Sequence, residues 1–335
     1  KICYYISYLI PDKVKPVKSF IITKNDAGQR LDKYLTKSFP NLPQSLMYKY
    51  IRTKRIKVNS KRAEISTRLM ENDVVDLYIN DEFLGVRSDK FDFLSAPNSL
   101  NIVYEDENIL LLNKKVGLLC HPDDKEYVDT LISRVKRYLY EKGSFNPMDS
   151  MSFTPALVNR IDRNTCGIVI AAKNAEALRI LNEKMKNREL RKFYLCIVHG
   201  KLENRSGILE GYLVKDKDKN TVKVFTKKQE GAKYIKTKYE VIAESENFSL
   251  IEIELLTGRT HQIRSHFASI GHPLLGDGKY GINKLNRGYK KQWLCSYKLV
   301  FDFNTDAGIL NYLNQKDFEI DVDWMKDEFT RLSQE

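Results

Sequence analysis

Several kinds of chemistry are missing from this sequence. Its five cysteines are scattered, odd in number and include no Cys-x-x-Cys pair, which argues against a disulfide framework and a zinc site. No Lys-Ser or Lys-Thr follows a correctly spaced glycine pair, and no Gly-x-Gly-x-x-Gly follows a strand. A P-loop and a dinucleotide or methyl-donor pocket are therefore not expected. No apolar run is long enough to span a bilayer.

The cysteines and the first residues together predict a cytoplasmic protein. Scattered free thiols are typical of a reducing compartment. Residues 2–10 are apolar and aromatic, but the stretch is short and lacks a small-residue cleavage site. We therefore do not expect a signal peptide.

Charge is the unusual part of the composition. A chain of 335 residues is long enough for two domains, and its 42% hydrophobic and 30% charged residues are ordinary for a globular protein. The formal net charge of +12 and the pI near 9.2 are not ordinary. Such a basic chain is expected to bind a polyanion, either nucleic acid or an anionic membrane surface.

Residues 18–82 are predicted to form a small domain of their own, preceded by a leader at residues 1–17. One helix is expected to start at residues 26–28 and to end at Phe39-Pro40, and a second is expected to begin at Pro43. Short alternating patterns at 56–59 and 73–79 predict two strands.

Positive charge is concentrated in this small domain. A solvated helix face normally mixes both signs, and a merely solubilising face remains the alternative to a phosphate-binding one. Within residues 44–68 one acid, Glu64, stands among eight basic residues, which are Lys49, Arg52, Lys54, Arg55, Lys57, Lys61, Arg62 and Arg68. We interpret this cluster as a phosphate-binding surface.

A linker at residues 83–98 is predicted to lead into a larger domain at 99–335. Strands outnumber helices there, which favours an α+β fold with a mixed, largely antiparallel sheet. The acidic tail, 304–335, is expected to pack as a closing strand and helix on the face away from the polyanion. We expect strands at 102–105, 109–114, 168–172, 193–199, 222–225, 234–243 and 248–255, and helices near 128–141 and 174–188.

One carboxylate in the larger domain lies between two arginines. Residues 159–167 read Asn-Arg-Ile-Asp-Arg-Asn-Thr-Cys-Gly and run into an apolar strand, so that Asp162 is flanked by Arg160 and Arg163. Neighbouring guanidinium groups favour an ionised carboxylate, which suits a base, a nucleophile or an anchor for an arginine. On spacing alone, a surface ion pair is the simpler interpretation.

A second polar stretch, residues 257–267, combines arginines with histidines. A glycine-containing turn leads there into a short helix that is expected to end near Gly271. Arg264 is expected to reach Asp162. His261 and His266 are five residues apart and do not share a helix face, so a metal pair is not expected. His261 is interpreted as a hydrogen-bonding residue.

Two further stretches are ambiguous alone. Tyr194 begins an apolar strand next to two cations, and the sequence permits either a core tyrosine or a platform on which a base stacks. Residues 271–281 are rich in glycine without matching a P-loop.

In this order, these segments resemble the RluA-type RNA pseudouridine synthases. Residues 113–117, with His121-Pro122, resemble the family's Lys-Pro-x-Gly opening, and residues 159–167 resemble its His-Arg-Leu-Asp-x-x-Thr-Ser-Gly catalytic loop. Residues 191–194 resemble its Lys-x-Tyr strand, and residues 256–281 its Thr-Gly-Arg-x-His-Gln-Ile-Arg block. The small domain is similar to the RNA-binding module of ribosomal protein S four.

The resemblance implies isomerisation of uridine in RNA to pseudouridine, without metal or organic cofactor. It implies that Asp162 is the catalytic aspartate, paired with Arg264, that Tyr194 and Ile263 hold the base, and that Arg160 fills the gap left by a flipped nucleotide. Further substrate contacts are expected from Asn159, Thr165, Lys192, Arg259 and His261.

Four positions depart from the family pattern. Asn159 replaces its histidine, Ile161 its leucine, Cys166 its serine and Lys115 its proline. Because the aspartate, the arginine and the tyrosine are all present, we expect an active enzyme.

The expected partner is structured RNA, in the first place large-subunit ribosomal RNA or its precursor, with no membrane and a monomeric state. The sequence leaves open a synthase acting on transfer RNA and a catalytically silent ribosome-assembly factor. An RNA methyltransferase is disfavoured because no methyl-donor loop is present.

Overall fold

The protein is described from a computed structural model, which places residues 18–85, 91–216 and 221–334. The predicted leader at residues 1–17 lies outside the described residues. Within the described ranges, no helix combines the length and apolar character needed to cross a membrane.

A small N-terminal domain has a sheet and a hydrophobic core of its own. The core gathers apolar side chains between Ile22 and Leu84. The sheet is antiparallel throughout, in the order β1-β4-β2-β3. Its elements are β1 (Lys18–Ile21), α1 (Leu31–Ser38), α2 (Gln44–Arg52), β2 (Ile56–Val58), β3 (Lys61–Arg62) and β4 (Val74–Leu77).

The prediction that the first helix starts at residues 26–28 was wrong. Helix α1 begins at Leu31, and residues 24–28 form turns. Gly28 adopts a φ of +76°, a left-handed conformation that does not continue into a helix. The Asp26 side chain, which resembles a helix cap in the sequence, instead accepts hydrogen bonds from residues more than 120 positions away.

The larger domain is built on an eleven-stranded sheet. Its strands are β5 (Ile102–Glu105), β6 (Ile109–Lys114), β7 (Ala156–Leu157), β8 (Cys166–Ala172), β9 (Leu190–His199), β10 (Ser206–Asp216), β11 (Thr221–Phe225), β12 (Lys233–Glu244), β13 (Phe248–Leu255), β14 (Leu294–Phe301) and β15 (Asp317–Glu319). Its helices are α3 (Leu131–Glu141), α4 (Ala175–Lys186), α5 (Gln262–Ser269) and α6 (Asp323–Ser333).

The order of this sheet confirms the predicted α+β fold with a largely antiparallel sheet. The main path runs β11-β10-β12-β13-β9-β14-β8-β6-β5, with β15 on β14 and β7 on β8. Only the β14–β8 pair is parallel among the described pairs. Both faces are covered, because alternate residues of β6 enter two different cores, Leu110 and Leu112 on one side and Ile109 and Leu111 on the other.

Two long strands were not predicted. β10 carries two glycines and several charged residues, and it packs on one side only, which hides its periodicity. β14 follows a glycine-rich stretch and lies between β9 and β8 in the middle of the sheet. Its pairing with β8 and β9 joins residues more than 90 positions apart, which no local pattern encodes.

The segment predicted as a linker is partly packed. Short 3-10 turns cover Asp81–Leu84 and Asp92–Ser95, while residues 86–90 lie outside the described part. Phe93 is buried and contacts the rings of Tyr140 and Phe145. The end of this segment therefore belongs to the packed part of the larger domain.

The acidic tail forms the predicted strand and helix. β15 pairs with β14, and α6 packs through Met325 and Phe329 on the core that contains Leu195 and Ile197 of β9. Tyr194 points to the other face of the same strand, with the core that contains Ile263. The tail thus covers the face of the sheet opposite to Tyr194.

Candidate active site

The two polar stretches of the sequence meet in one cavity of about 290 Å³. The loop before β8 forms one wall, and the turn from β13 into α5 forms another. The first residues of β9 close the bottom. The lining residues are 158–162, 165, 185, 192, 194, 255, 258–264 and 294.

An ion pair joins the two walls. Arg264 Nη1 donates a hydrogen bond of 2.9 Å to Asp162 Oδ2, as the sequence predicted. The Arg264 side chain is 9% exposed and that of Asp162 is 23% exposed. Because α5 starts at Gln262, the arginine projects from the first turn of a helix towards the loop that holds the carboxylate. The pair is therefore partly shielded from water, which strengthens it.

A second carboxylate, that of Asp277, binds the other two nitrogens of the same arginine. Arg264 Nε and Nη2 donate to Asp277 Oδ2 and Oδ1 at 2.7 and 2.8 Å, and Asp277 is fully buried. Burial opposes the charged form of Arg264, but the hydrogen bonds and charge of Asp277, with help from Asp162, raise its pKa. Burial likewise opposes ionisation of Asp277, yet Arg264 and two backbone N–H groups lower the Asp277 pKa. Arg264 therefore remains a fixed cation.

The second oxygen of the Asp162 carboxylate is unengaged. Among the described residues, no hydrogen bond to Asp162 Oδ1 is found, whereas Oδ2 accepts from Arg264. Asp162 lines the cavity directly. One oxygen of an anchored carboxylate can thus meet a ligand without breaking the ion pair.

The loop that carries Asp162 is fixed from below by a buried lysine. Lys114, 1% exposed, donates from Nζ to the backbone oxygens of Lys115, Leu118 and Arg163 at 2.8–3.0 Å. Burial lowers the pKa of Lys114 to about 8. Three carbonyls gather around one ammonium group, and one of them belongs to the residue that follows Asp162.

The end of the same loop depends on a glycine. Gly167 has a φ of +111°, and a Cβ atom there would lie 2.1 Å from the Ser296 backbone oxygen. No other residue fits so close an approach of two backbones. Gly167 therefore lets the loop join β8 next to β14.

His261 lies in a left-handed conformation, φ +53°, immediately before α5. Its Nδ1 is 2.8 Å from the Tyr280 hydroxyl, and its Nε2 is 3.8 Å from Asp162 Oδ2. The Tyr280 oxygen also accepts the Val222 N–H at 2.9 Å. We assign the Tyr280 hydroxyl as the donor to Nδ1. This arrangement assigns the imidazole hydrogen to Nε2, facing the cavity. Burial lowers the pKa of His261 to about 4, so the ring is neutral near pH 7.

Tyr194 and Lys192 reach the cavity from the same side of β9. Tyr194 is 5% exposed, and burial raises its pKa to about 12, partly offset by a hydrogen bond to Ser296. It is therefore a neutral phenol near pH 7. Burial lowers the pKa of Lys192 to about 8, and the one side-chain hydrogen bond of its ammonium group found among the described residues goes to the Met185 sulfur, at 3.1 Å. Lys192 is thus a cation without an anionic partner in the cavity.

The remaining predicted contacts are a buried pair, an exposed pair and one asparagine of the loop. Ile263 and Thr165 are buried in the lining, whereas Arg160 and Arg259 are exposed at the rim. Asn159 also lines the cavity, but its Oδ1 accepts the Ile170 N–H at 2.8 Å. The asparagine thus has a structural hydrogen bond within the loop.

The predicted RNA-binding cations all lie in the small domain, far in sequence from the cavity. Lys49, Arg52, Lys54, Lys61 and Arg62 are exposed. Arg55 and Lys57 are partly buried, and each lies over a tyrosine ring, Tyr50 at 4.7 Å and Tyr78 at 5.0 Å. Most of this positive charge is thus open to a ligand.

Sequence reasoning missed Asp277, Tyr280 and Lys114. The first two belong to the glycine-rich stretch 271–281, which was compared with a P-loop and included in the family block 256–281 without a role for either residue. The signal that could have found them is an acid and a tyrosine spaced by three among glycines, close behind the Arg264 helix. Among the described residues no group of three or more His, Cys, Asp or Glu side chains could hold a metal ion.

Comparisons with known proteins give a consistent result. Residues 108–269 match the family model of RNA pseudouridylate synthase. An uncharacterized RNA pseudouridine synthase of Mycoplasma genitalium is 35% identical over 291 residues, which cover 84% of this chain and 88% of that protein. The ribosomal large subunit pseudouridine synthase D of Borreliella burgdorferi is 30% identical over 300 residues, with 88% of each chain covered.

Solved structures share the fold. Human RNA pseudouridylate synthase domain containing 4 superposes with a TM-score of 0.52 at 18% identity, over 66% of this chain and 88% of that one. Human RNA pseudouridylate synthase domain containing 1 gives 0.51 at 20% identity, over 70% and 95%. At this identity the likeness concerns the architecture alone.

Proposed function

Because the chain belongs to the RluA-type family of RNA pseudouridine synthases, we propose that it isomerises uridines of large-subunit ribosomal RNA with Asp162 as the catalytic carboxylate. The observation that carries the proposal is the geometry around that residue. Asp162 lines the cavity and is held by Arg264 at one oxygen, while the other has no hydrogen-bond partner among the described residues. A positioned carboxylate with a free oxygen is suited to attack or to remove a proton.

The size of the cavity agrees with a single base as its occupant. About 290 Å³ lies at the lower end of ligand pockets, too small for a large organic cofactor but adequate for one flipped nucleoside. A base stacked in RNA cannot be detached and turned, so the uridine must leave its stack at a cost of a few kcal/mol. At the rim, the exposed Arg160 is assigned to the gap left by the flipped nucleotide, and the exposed Arg259 to a neighbouring phosphate.

The reaction can be written with the residues of this chain. The bond between the ribose C1′ and N1 of uracil breaks, and its electron pair leaves with the base as a uracil anion. Asp162 either forms an ester with C1′ or removes the proton of C2′, and both routes remain open. After the base turns, C5 bonds to C1′. On the ester route this displaces the Asp162 oxygen from C1′ and frees the carboxylate, and on the glycal route the protonated Asp162 returns its proton to C2′. In both routes C5 then loses its proton and N1 gains one, so that the uracil ring is restored and no net proton is consumed.

Three side chains are assigned to the detached base. Lys192 is assigned to stabilise the uracil anion, because it has no anionic partner among the described residues, whereas Arg264 already binds two carboxylates. Tyr194, as a neutral phenol, supplies a ring face and a hydroxyl group. His261, with its hydrogen on Nε2, is a neutral donor towards the substrate or Asp162.

The RNA target is inferred from charge and relatives. A net charge of +12 and the exposed cations of the small domain favour a large, structured RNA. Relatives from Borreliella burgdorferi and Buchnera aphidicola carry the names ribosomal large subunit pseudouridine synthase D and C. We extend that substrate to this chain, and with it a cytoplasmic location and action as a monomer.

The assembly-factor alternative rests on Asn159 in place of the family histidine. The Asn159 Oδ1–Ile170 N–H hydrogen bond supports a structural role for this residue, which leaves the catalytic groups intact. A silent protein would have no reason to keep an anchored carboxylate in an open cavity. We therefore favour the enzyme.

Pseudouridine mapping of total RNA from cells with and without the gene tests the function and names the substrate. The deletion strain is complemented with the intact protein, with Asp162→Ala or with Asp129→Ala. Asp129→Ala is the control, because it removes a partly exposed carboxylate that is paired with Arg134. Pseudouridines in large-subunit ribosomal RNA should vanish on deletion and return with the intact protein and the control only. If pseudouridines vanish only from transfer RNA, then transfer RNA is the substrate instead of ribosomal RNA. An unchanged map would favour the assembly-factor alternative.

Purified protein separates catalysis from binding. Asp162→Asn should abolish pseudouridine formation and leave RNA affinity nearly unchanged, because the substitution preserves shape and removes only the reactive charge. Equal loss of binding would instead assign Asp162 a structural role.

A further inference from the structure

Asp26 is a buried carboxylate at the boundary between the small and the larger domain. It is 0% exposed and accepts five hydrogen bonds. One comes from Thr23 of the small domain, at 2.9 Å. The other four come from one loop of the larger domain, between α3 and β7: Ser150 Oγ at 2.8 Å, Met151 N at 3.2 Å, and Ser152 N and Oγ at 2.8 and 2.6 Å.

Residues on either side of Asp26 add contacts with α4. The Asn25 side chain accepts the N–H of Ala175, the first residue of α4, at 3.0 Å. Arg179, one turn further along, donates to the Ala27 backbone oxygen at 3.1 Å. Gly28 has a φ of +76°, and a Cβ atom there would lie 3.1 Å from Arg179 Nη2, so a larger residue would be strained and would displace the guanidinium group slightly.

The cost of burying the Asp26 carboxylate makes this contact specific for one orientation of the two domains. A buried carboxylate is costly unless its lone pairs are filled, and among the described residues no Lys or Arg pairs with Asp26. Charge-assisted hydrogen bonds from N–H and O–H groups compensate instead. Because four of the five donors belong to the larger domain, the carboxylate is satisfied only when the two domains are docked in this one orientation.

Helix α4 connects the docking point to the cavity. Its first residue contacts Asn25, and Met185, ten residues later, lines the cavity and touches Lys192. At 1.5 Å per residue the two points are about 15 Å apart along one rigid element. The small domain is therefore held at a set distance from the site of reaction.

We propose that Asp26 is a positioning residue that locks the small domain onto the larger one, so that its cationic surface and the cavity bind one structured RNA at a fixed separation. The inference rests on the proposed function and adds to it a rule of substrate selection. The preferred RNA presents a phosphate-rich segment at a set distance from the target uridine. A flexible tether would accept many separations and would gain only an increased effective concentration.

The docking itself is tested without RNA. Spin labels at Ser66→Cys and Lys201→Cys, two exposed positions in different domains, report the interdomain distance by pulsed electron resonance in a Cys3→Ser background. The other four cysteines are buried. We expect one narrow distance distribution, a broad one after Asp26→Asn, and a narrow one after Asp76→Asn. Asp76 is the matched control, a buried carboxylate whose Ser19 and Ser60 hydrogen bonds stay within the small domain.

The consequence for catalysis is tested with two RNAs made by transcription in vitro: full-length large-subunit ribosomal RNA and a short hairpin with the mapped uridine. Asp26→Asn should raise KM for the long RNA by roughly tenfold, because a fixed second contact is lost. The kcat for the long RNA, and both KM and kcat for the hairpin, should stay unchanged. The double variant Ser150→Ala and Ser152→Ala removes donors from the larger domain without touching the small one, and it should act in the same direction.

The outcomes are separable. A distance distribution that stays narrow in both docking variants, or KM values that change equally for the long RNA and the hairpin, would overturn the proposal. If the intact protein forms no pseudouridine in either RNA, the proposed function has failed, while the distance measurement still decides whether Asp26 locks the domains.

Discussion

Replacing Asp277 by asparagine separates charge from shape beneath Arg264. The carboxylate accepts from Arg264 Nε and Nη2, and its Oδ1 also accepts the N–H groups of Lys279 and Tyr280 at 2.9 and 3.1 Å. An asparagine has one oxygen and one NH₂ group. With the oxygen at Oδ1, the NH₂ faces Arg264 Nε, and with the amide turned over, it faces the other three donors. In either orientation the asparagine NH₂ group faces at least one N–H group, and neither of the two can accept a hydrogen bond from the other.

The cost follows from the burial of the pair. Asp277 is fully buried and Arg264 is 9% exposed, so a loss of the charge leaves a buried guanidinium with Asp162 alone. Breaking one side of a buried ion pair costs about 3 kcal/mol. That corresponds to a fall in Tm of roughly 6–12 °C for a domain of this size. Because Arg264 would also shift towards Asp162, a displacement of about 1 Å should lower kcat by about 10²-fold.

Two assays check both halves of this argument. Thermal unfolding gives the stability, and single-turnover pseudouridine formation gives the rate. Asp129→Asn is the matched control, since Asp129 also binds an arginine, Arg134, through two hydrogen bonds but is 37% exposed. Its cost should stay below about 1 kcal/mol, with no change in rate. An Asp277→Asn protein as stable and as fast as the intact one would refute the role of the second carboxylate.

Three further changes have defined outcomes. Lys192 is protonated below its pKa of about 8 and neutral above it, so single-turnover rates should fall as the pH rises through 8, and Lys192→Arg should remove this limb of the profile. Gly167→Ala should lower stability by at least about 2 kcal/mol in chemical denaturation, whereas Gly143→Ala, with a similar positive φ but no atom within 4 Å, should cost less. The double variant Arg52→Glu and Lys54→Glu should raise KM for RNA without changing kcat and reduce the slope of log affinity against log salt by about one unit or more, since phosphate contacts are lost.

The fold was predictable where the pattern is local. The alternation of β12 and the apolar stripe of α4 each reflect burial of one face, and their bounds differ from the prediction by one or two residues. The apolar run of β13 reflects burial of both faces, and its bounds are those predicted. β14 could not be predicted in this way, because its neighbours β8 and β9 lie far away in sequence and define its place in the sheet. The start of α1 was missed for a similar reason, since the partners of Asp26 are in another domain.

The candidate active site was likewise predictable only where its residues lie in a local motif. Asp162 and Arg264 carry motifs dense enough to identify, and their 2.9 Å contact is as expected. Lys114 and Asp277 act through other residues, by holding carbonyl groups or a guanidinium group in place. Supporting residues of this kind have no spacing rule relative to the groups they support, because only the folded chain brings them together.

The two carboxylates around Arg264 have different tasks during a reaction cycle. If Asp162 forms an ester with the ribose, it loses its charge, and an arginine held by Asp162 alone would become an unpaired buried cation. Such a loss costs about 3–5 kcal/mol, which would be added to the barrier. Asp277 is removed from the cavity, fully buried and bound through two hydrogen bonds, so the pairing of Arg264 persists when the charge of Asp162 disappears. Arg264 can then orient Asp162 in every state of the cycle, because its own charge never depends on Asp162 for compensation.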